Sequence, residues 1–213
     1  MDCKATVELG EFARGGRTRG AHQACDHDMG LKPKYIPCGI VDEDTGQLFL
    51  CFGSSYKTSD FIVDTLHAWW ASLDPFVQTA TTQIQLKIDN GPESSGVRTQ
   101  FLHRIVPFAD HIGKPIQLLY FPPYHSKYNP IERCWGILEL HWNGTLLVDV
   151  PTLLAWAWSM TWKGLHPIVE LSTKVYRKGV RLTKAAMRAV EARLERNPLL
   201  PKWDILIRPA EQA

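Results

Sequence analysis

Two stretches decide how this chain is read: IQLKIDNGPESS at residues 84–95 and IQLLYFPPYHSKYNPIERCWGILELHW at residues 116–142. In the first, Ile84, Leu86 and Ile88 alternate with polar residues, the period-two pattern of a strand with one buried face. The run ends at Asp89-Asn90-Gly91-Pro92, so a carboxylate stands at the strand's C-terminal end. In the second, a strand over 116–121 feeds a proline-rich loop, and a helix opens at Asn129-Pro130-Ile131-Glu132. That places a second carboxylate in a helix's first turn. Both sites also have plain structural readings. Asp-Asn-Gly-Pro is an ordinary turn sequence. Asn-Pro-Ile-Glu supplies an N-cap, a proline at the first helical position and an acid at the third, which together make a capping box.

Working outward, residues 2–9 alternate like a strand and put Asp2 near its start. Residues 10–33 form a long polar stretch rich in Gly, Arg, His and Asp, which reads as a functional loop or an insertion. Residues 35–41 and 47–53 form a hairpin around Asp42-Glu43-Asp44-Thr45-Gly46. Helical spacing predicts a helix over 59–73, capped by Ser59 or Asp60, then a loop over 74–82. A further helix is predicted over 97–111, where Pro107 brings a kink or an early end, and another over 130–142. Three more helices are expected at 151–162, 167–178 and 183–196. The tail, 198–213, carries Trp203 and Ile205-Leu206-Ile207, which are expected to dock on the body.

Strands separated by single helices need parallel crossovers, and those are almost always right-handed. The order therefore predicts an α/β fold with an RNase H-like (retroviral-integrase-like) mixed sheet flanked by helices. Residues 1–145 would form the core and residues 146–213 a helical, basic C-terminal extension. In that arrangement the first strand lies beside the 84–88 strand, and Asp2 faces Asp89.

Composition narrows the function classes. With 45% hydrophobic and 22% charged residues, a chain of 213 residues can bury a sizeable core. The formal net charge of +2 hides an uneven distribution. Residues 174–202 hold nine Lys and Arg against two acids, an excess that fits phosphate contact. A smaller basic cluster, Arg14, Arg17 and Arg19, sits in the polar stretch. No apolar run approaches the ~18 residues of a membrane span, and no signal peptide is recognisable. Five scattered cysteines without a CxxC pair fit reduced thiols and a cytoplasmic setting. His22, Cys25, His27 and Asp28 match no established zinc spacing. Trp69, Trp70, Trp135, Trp156 and Trp162 fall on apolar helical faces and read as core.

Three carboxylates brought to one spot, Asp2, Asp89 and Glu132, would repel unless cations sat between them. Two divalent ions about 3.5–4 Å apart remove the repulsion and supply phosphoryl-transfer chemistry. Hard oxygen donors suit Mg²⁺ or Mn²⁺. One ion would activate an attacking water or hydroxyl and the other would stabilise the leaving oxygen. Asn90, beside Asp89, could orient a phosphate or water. His125, Lys127 and Tyr128 stand in the loop before Glu132, either on the path of a DNA backbone or only bracing the loop. Lys174, Arg177, Lys178 and Arg181 lead the basic stretch as candidate DNA contacts. Glu93 and Glu139 read as surface acids, with Glu139 in a surface pair.

A strand ending in DNGP, followed 43 residues later by the glutamate of YNPIERCWG, resembles the DDE transposases related to the Tc-mariner group. The longer strings DNGPESS, YFPPYHSKYNPIERCWGILE-x-HWNG and MTWKG-x-HP-VEL are similar to ISAzo-type insertion-sequence transposases. The likeness runs from DCKATVELGEFARGGRTRG at the start to LPKWDI near the end. It implies a metal-dependent enzyme with Asp2, Asp89 and Glu132 as catalytic acids and metal ligands. Its partners would be insertion-sequence ends and target DNA, with two subunits acting together on paired ends. It also implies an N-terminal helix-turn-helix region in full-length members. Because the first strand opens the chain, sequence upstream of it is expected to be missing. An inactive remnant that at most binds DNA is the alternative. An RNase H-like nuclease fits the carboxylates but not the transposase-like strings.

Overall fold

The computed structural model describes residues 1–15, 18–25, 33–122, 125 and 128–211. The chain divides into two compact units: Asp2–Tyr56 with Pro130–Val175, and Met1 with Lys57–Asn129 and Tyr176–Ala213. No helix among the described residues is long and apolar enough to cross a membrane.

In the first unit the expected strand over 2–9 is two short ones, β1 (Asp2–Cys3) and β2 (Val7–Glu8). Both pair antiparallel with β5 (Lys34–Val41), with Asp2 opposite Gly39 and Val7 opposite Tyr35. Two further short strands in the polar stretch, β3 (Ala13–Arg14) and β4 (Ala24–Cys25), pair with each other in parallel. The hairpin closes as expected between β5 and β6 (Leu48–Gly53). All six β6 residues are buried, an unbroken apolar run of the kind found where both faces are covered. On the far side of β6 lies β9 (Ile168–Ser172), paired in parallel.

Two helices complete this unit, α4 (Pro130–His141) and α5 (Val150–Ser159). Ile131, Cys134, Trp135 and Leu138 recur at helical spacing along α4. They join Val7, Leu48, Leu50 and Phe52 in one buried cluster. Each large side chain there contributes about 2 kcal/mol of burial. A glycine lets the helix approach the sheet. A Cβ on Gly39 of β5 would stand 2.6 Å from Ile131 Cδ1 and 2.7 Å from the Trp135 ring, closer than real contacts allow.

The second unit contains α1 (Ser59–Ser72), α2 (Pro75–Ala80), β7 (Ile84–Asp89), α3 (Thr99–Ile112) and β8 (Ile116–Phe121). It is completed by α6 (Lys184–Glu191), β10 (Leu194–Arg196) and β11 (Asp204–Ile207). Its sheet runs β10-β11-β8-β7. The β7–β8 pair is parallel, as a helical crossover requires, and the other two pairs are antiparallel. Phe61, Leu66, Phe101, Leu102, Ile105 and Phe108 are fully buried on α1 and α3. Arg104 of α3 ties those helices together through Asp60 and Asp64 of α1. The buried Tyr176 donates its hydroxyl to Asp64.

Several element readings need correction. The helix expected over 167–178 is instead β9 followed by irregular chain. Ile168-Val169-Glu170-Leu171 has strand-favouring residues and finds hydrogen-bond partners along β6. The helix expected over 183–196 stops at Glu191, because residues 194–196 pair with β11. Residues 146–213 are therefore a mixture of helices and strands, not a helical segment. Thr58, not Ser59 or Asp60, caps α1, accepting from the Phe61 N–H at 3.2 Å. The expected loop over 74–82 contains α2, opened by the Asp74 cap and Pro75. Pro107 lies inside α3, which continues to Ile112 and ends on left-handed Gly113. The tail docks as expected: β11 adds to β8, burying Ile205 and Ile207.

Candidate active site

Asp2 is carried by β1, whose pairing with β5 fixes the backbone opposite Gly39. Its side chain is half-buried, as are those of Asp89 and Glu132. Asp89 is the last residue of β7. The alternation that buries Ile84, Leu86 and Ile88 leaves it on the other face. The turn beyond it is held by its own carbonyl, which accepts from the Gly91 N–H at 2.8 Å and the Ser94 hydroxyl at 3.1 Å. Its carboxylate Oδ1 accepts from Asn129 Nδ2 at 3.4 Å. Glu132 stands one residue after the fully buried Ile131, so the packing of α4 fixes its starting point.

Asp2, Asp89 and Glu132 form an acidic group in which one carboxylate oxygen from each lies within 4.8 Å of the others. Two like charges at that distance repel by about 3 kcal/mol at an effective dielectric constant of about 20. A divalent cation reverses the sign of that interaction. The donors are all hard oxygens on partly exposed side chains, which fits Mg²⁺ or Mn²⁺ and not a thiophilic metal.

A family model described as the Rhodopirellula transposase DDE domain matches residues 1–209. The chain belongs to that family. No curated protein and no solved structure matches it closely enough to add to this. As a DDE domain it is of the insertion-sequence transposase type, with DNA as the substrate and a general nuclease or transposition activity. Such domains as a class use divalent metals, and an Asp/Asp/Glu acid set of the required kind is present here.

The DDE domain's other predicted residues fare differently. Asn90 is exposed next to Asp89. His125 is exposed and stacks on Tyr128, itself 64% exposed, with ring centroids 5.9 Å apart. Lys127 lies outside the described residues, as do Arg17, His27 and Asp28. Lys174, Arg177, Lys178 and Arg181 are all exposed on the irregular chain before α6. Arg193 and Arg196 of the same stretch are engaged internally. Arg193 pairs with Asp110 at 2.7 Å, which holds the Asp110 carboxyl below its ordinary range. Arg196 pairs with Glu191, with the same effect on that acid. Glu93 pairs loosely with Lys57 at 4.0 Å.

Glu139 is more than the surface pair expected of it. Lys4 lies 3.0 Å away and Arg14 3.2 Å away, and the Trp142 indole donates to it at 2.8 Å. Burial pushes its carboxyl upward, but the indole, Arg14 and Lys4 together outweigh burial and lower it.

Two residues escaped the sequence reading. Gly39 was passed over although a glycine inside a strand pattern signals a close approach. Asn129 has the sequence position of a helix cap, yet its buried Oδ1 has no hydrogen-bond partner among the described residues. Its amide nitrogen is directed at Asp89 instead.

Proposed function

We propose that this chain is the catalytic domain of an insertion-sequence transposase that cuts DNA at the element's ends and joins the freed 3′-hydroxyl to target DNA. Asp2, Asp89 and Glu132 are its catalytic triad and hold two Mg²⁺ or Mn²⁺ ions. The convergence of these three acids within 4.8 Å is the observation that supports the reading. An RNase H-like core related to that of the Tc-mariner group fits the antiparallel β5–β6 hairpin. It also fits the parallel β7–β8 pair with an acid at the end of β7. Residues 1–145 carry every catalytic acid. Residues 146–213 are an extension that adds β9 to one sheet and β10 and β11 to the other.

Divalent ions held there would supply activation of a water or hydroxyl and stabilisation of the departing oxygen. The chain's own residues do the rest. The carboxylates fix where the ions sit, and β1, β7 and α4 hold the carboxylates. Asn90 and His125 border the scissile phosphate. Lys174, Arg177, Lys178 and Arg181 grip the backbone further along, a sequence-independent contact weakened by salt. The enzyme works on chromosomal DNA in the cytoplasm, as a homodimer on paired ends.

Calorimetric titration of Mn²⁺ into the chain, with Asp89→Asn alongside, tests this directly. Binding to the wild type that disappears in Asp89→Asn is the expected result. A wild type that takes up no Mn²⁺ would leave a DNA-binding fold without catalysis.

A further inference from the structure

The buried amide of Asn129 touches both aspartate-bearing segments. Asn129 is 1% exposed and immediately precedes α4. Its Nδ2 donates to Asp89 Oδ1 at 3.4 Å and to the Met1 carbonyl at 3.3 Å. Met1 is covalently next to Asp2, and its nitrogen donates to the Lys87 carbonyl of β7 at 2.9 Å. Both partners of the amide are acceptors only, a carboxylate and a carbonyl, so the NH₂ group must face them and the amide's orientation is fixed. The position could equally have been filled by a capping residue whose oxygen accepts a helix N–H. Here the oxygen makes no such bond among the described residues. A buried amide that forgoes the cap and turns its two donors to Asp89 and the residue before Asp2 is arranged for the acids, not for the helix.

We propose that Asn129 is a positioning residue for the metal-binding acids. It aims the Asp89 carboxylate and anchors the chain at residue 1 relative to it, so that the acids are arranged before a cation arrives. This rests on the catalytic reading above. Groups that orient metal ligands without touching the metal commonly change affinity by about 10–100-fold when removed.

The test is Mn²⁺ affinity, measured by calorimetry on the full chain, for wild type, Asn129→Ser and Asn129→Gln, with metal-free thermal unfolding of each. Serine keeps a good helix cap but loses both amide donors. The expected result is at least a tenfold loss of Mn²⁺ affinity in Asn129→Ser at an essentially unchanged unfolding temperature. Glutamine keeps both donors on an arm one methylene longer and should lose less. Should the serine chain fail to fold, Asn129→Gln is read alone and should still bind more weakly than wild type. Wild-type affinity in the folded variants, with Mn²⁺ still bound by the wild type, overturns the positioning role and leaves the catalytic reading standing. No Mn²⁺ binding by the wild type overturns both.

Discussion

Glu132 and Glu139 lie seven residues apart on one helix, both half-buried, and they keep different company. Glu139 is gripped by two cations and an indole N–H. Glu132 shares its space with two further carboxylates. The same residue type on the same helix thus serves two ends. One carboxylate is satisfied by the chain itself and stabilises the fold. The other stands in a group of three acids that could hold a metal ion. A carboxylate's neighbours, not its identity or its helix, decide what it can do.

The sharpest way to break this contrast is to neutralise each acid. Asp89→Asn and Glu132→Gln should each lower metal-dependent DNA cleavage by about a thousandfold or more, since several kcal/mol of charge stabilisation are lost. Circular dichroism should show both still folded. Full metal-dependent cleavage by Glu132→Gln would remove it from the triad.

Next in size is the packing that sets α4 on its strand. Gly39→Ala forces a Cβ into Ile131 and Trp135 and should destabilise the first unit by about 1–3 kcal/mol in urea unfolding. A wild-type midpoint would mean that α4 yields easily.

Glu139→Gln should cost about 1–2 kcal/mol, a figure already reduced for the group's partial exposure. The pH dependence sharpens this prediction. Glu139's carboxyl lies below the ordinary 4.5 in the folded chain, so its contribution is present above that value and disappears as pH falls through the folded value. The stability gap between wild type and Glu139→Gln should therefore be widest near neutrality and close in acid. A gap that does not change with pH would mean that the charge of Glu139 is irrelevant.

The smallest effect extends the contrast to the cations. Arg177 is exposed, so Arg177→Ala should change stability by less than about 0.5 kcal/mol. It should flatten the salt dependence of DNA binding by about one charge. Arg193→Ala, which breaks the pair with Asp110, should do the reverse: lower stability and leave the salt slope alone.

Much of this was legible in the sequence because it rests on local pattern. The alternation of residues 84–88, the paired runs of the hairpin and the apolar stripe of α4 follow periods that burial imposes. Asp89 and Glu132 stand out because one ends a strand and the other opens a helix, whereas Asp2 rests on the family resemblance. The late strands were not legible. Ile168–Ser172 and Leu194–Arg196 are too short to show a period, and what makes them strands is a partner far along the chain, β6 or β11. The roles of Asn129 and Arg193 were hidden for the same reason: each depends on a partner the sequence does not place beside it. Counting charges along 174–202 could not reveal that Arg193 and Arg196 are occupied by Asp110 and Glu191.

Gly39 carries one more consequence. It faces Asp2 across the β1–β5 pair, while its missing side chain gives Ile131 and Trp135 of α4 their seat, one residue and three residues from Glu132. The gap between two acids is thereby gauged by an absent methyl group. Mg²⁺ and Ca²⁺ differ by only about 0.3–0.5 Å in their preferred oxygen distances. On the proposed catalytic reading, the clearance at residue 39, with Ile131 trimmed to compensate, is a second lever on cation choice beside the carboxylates themselves.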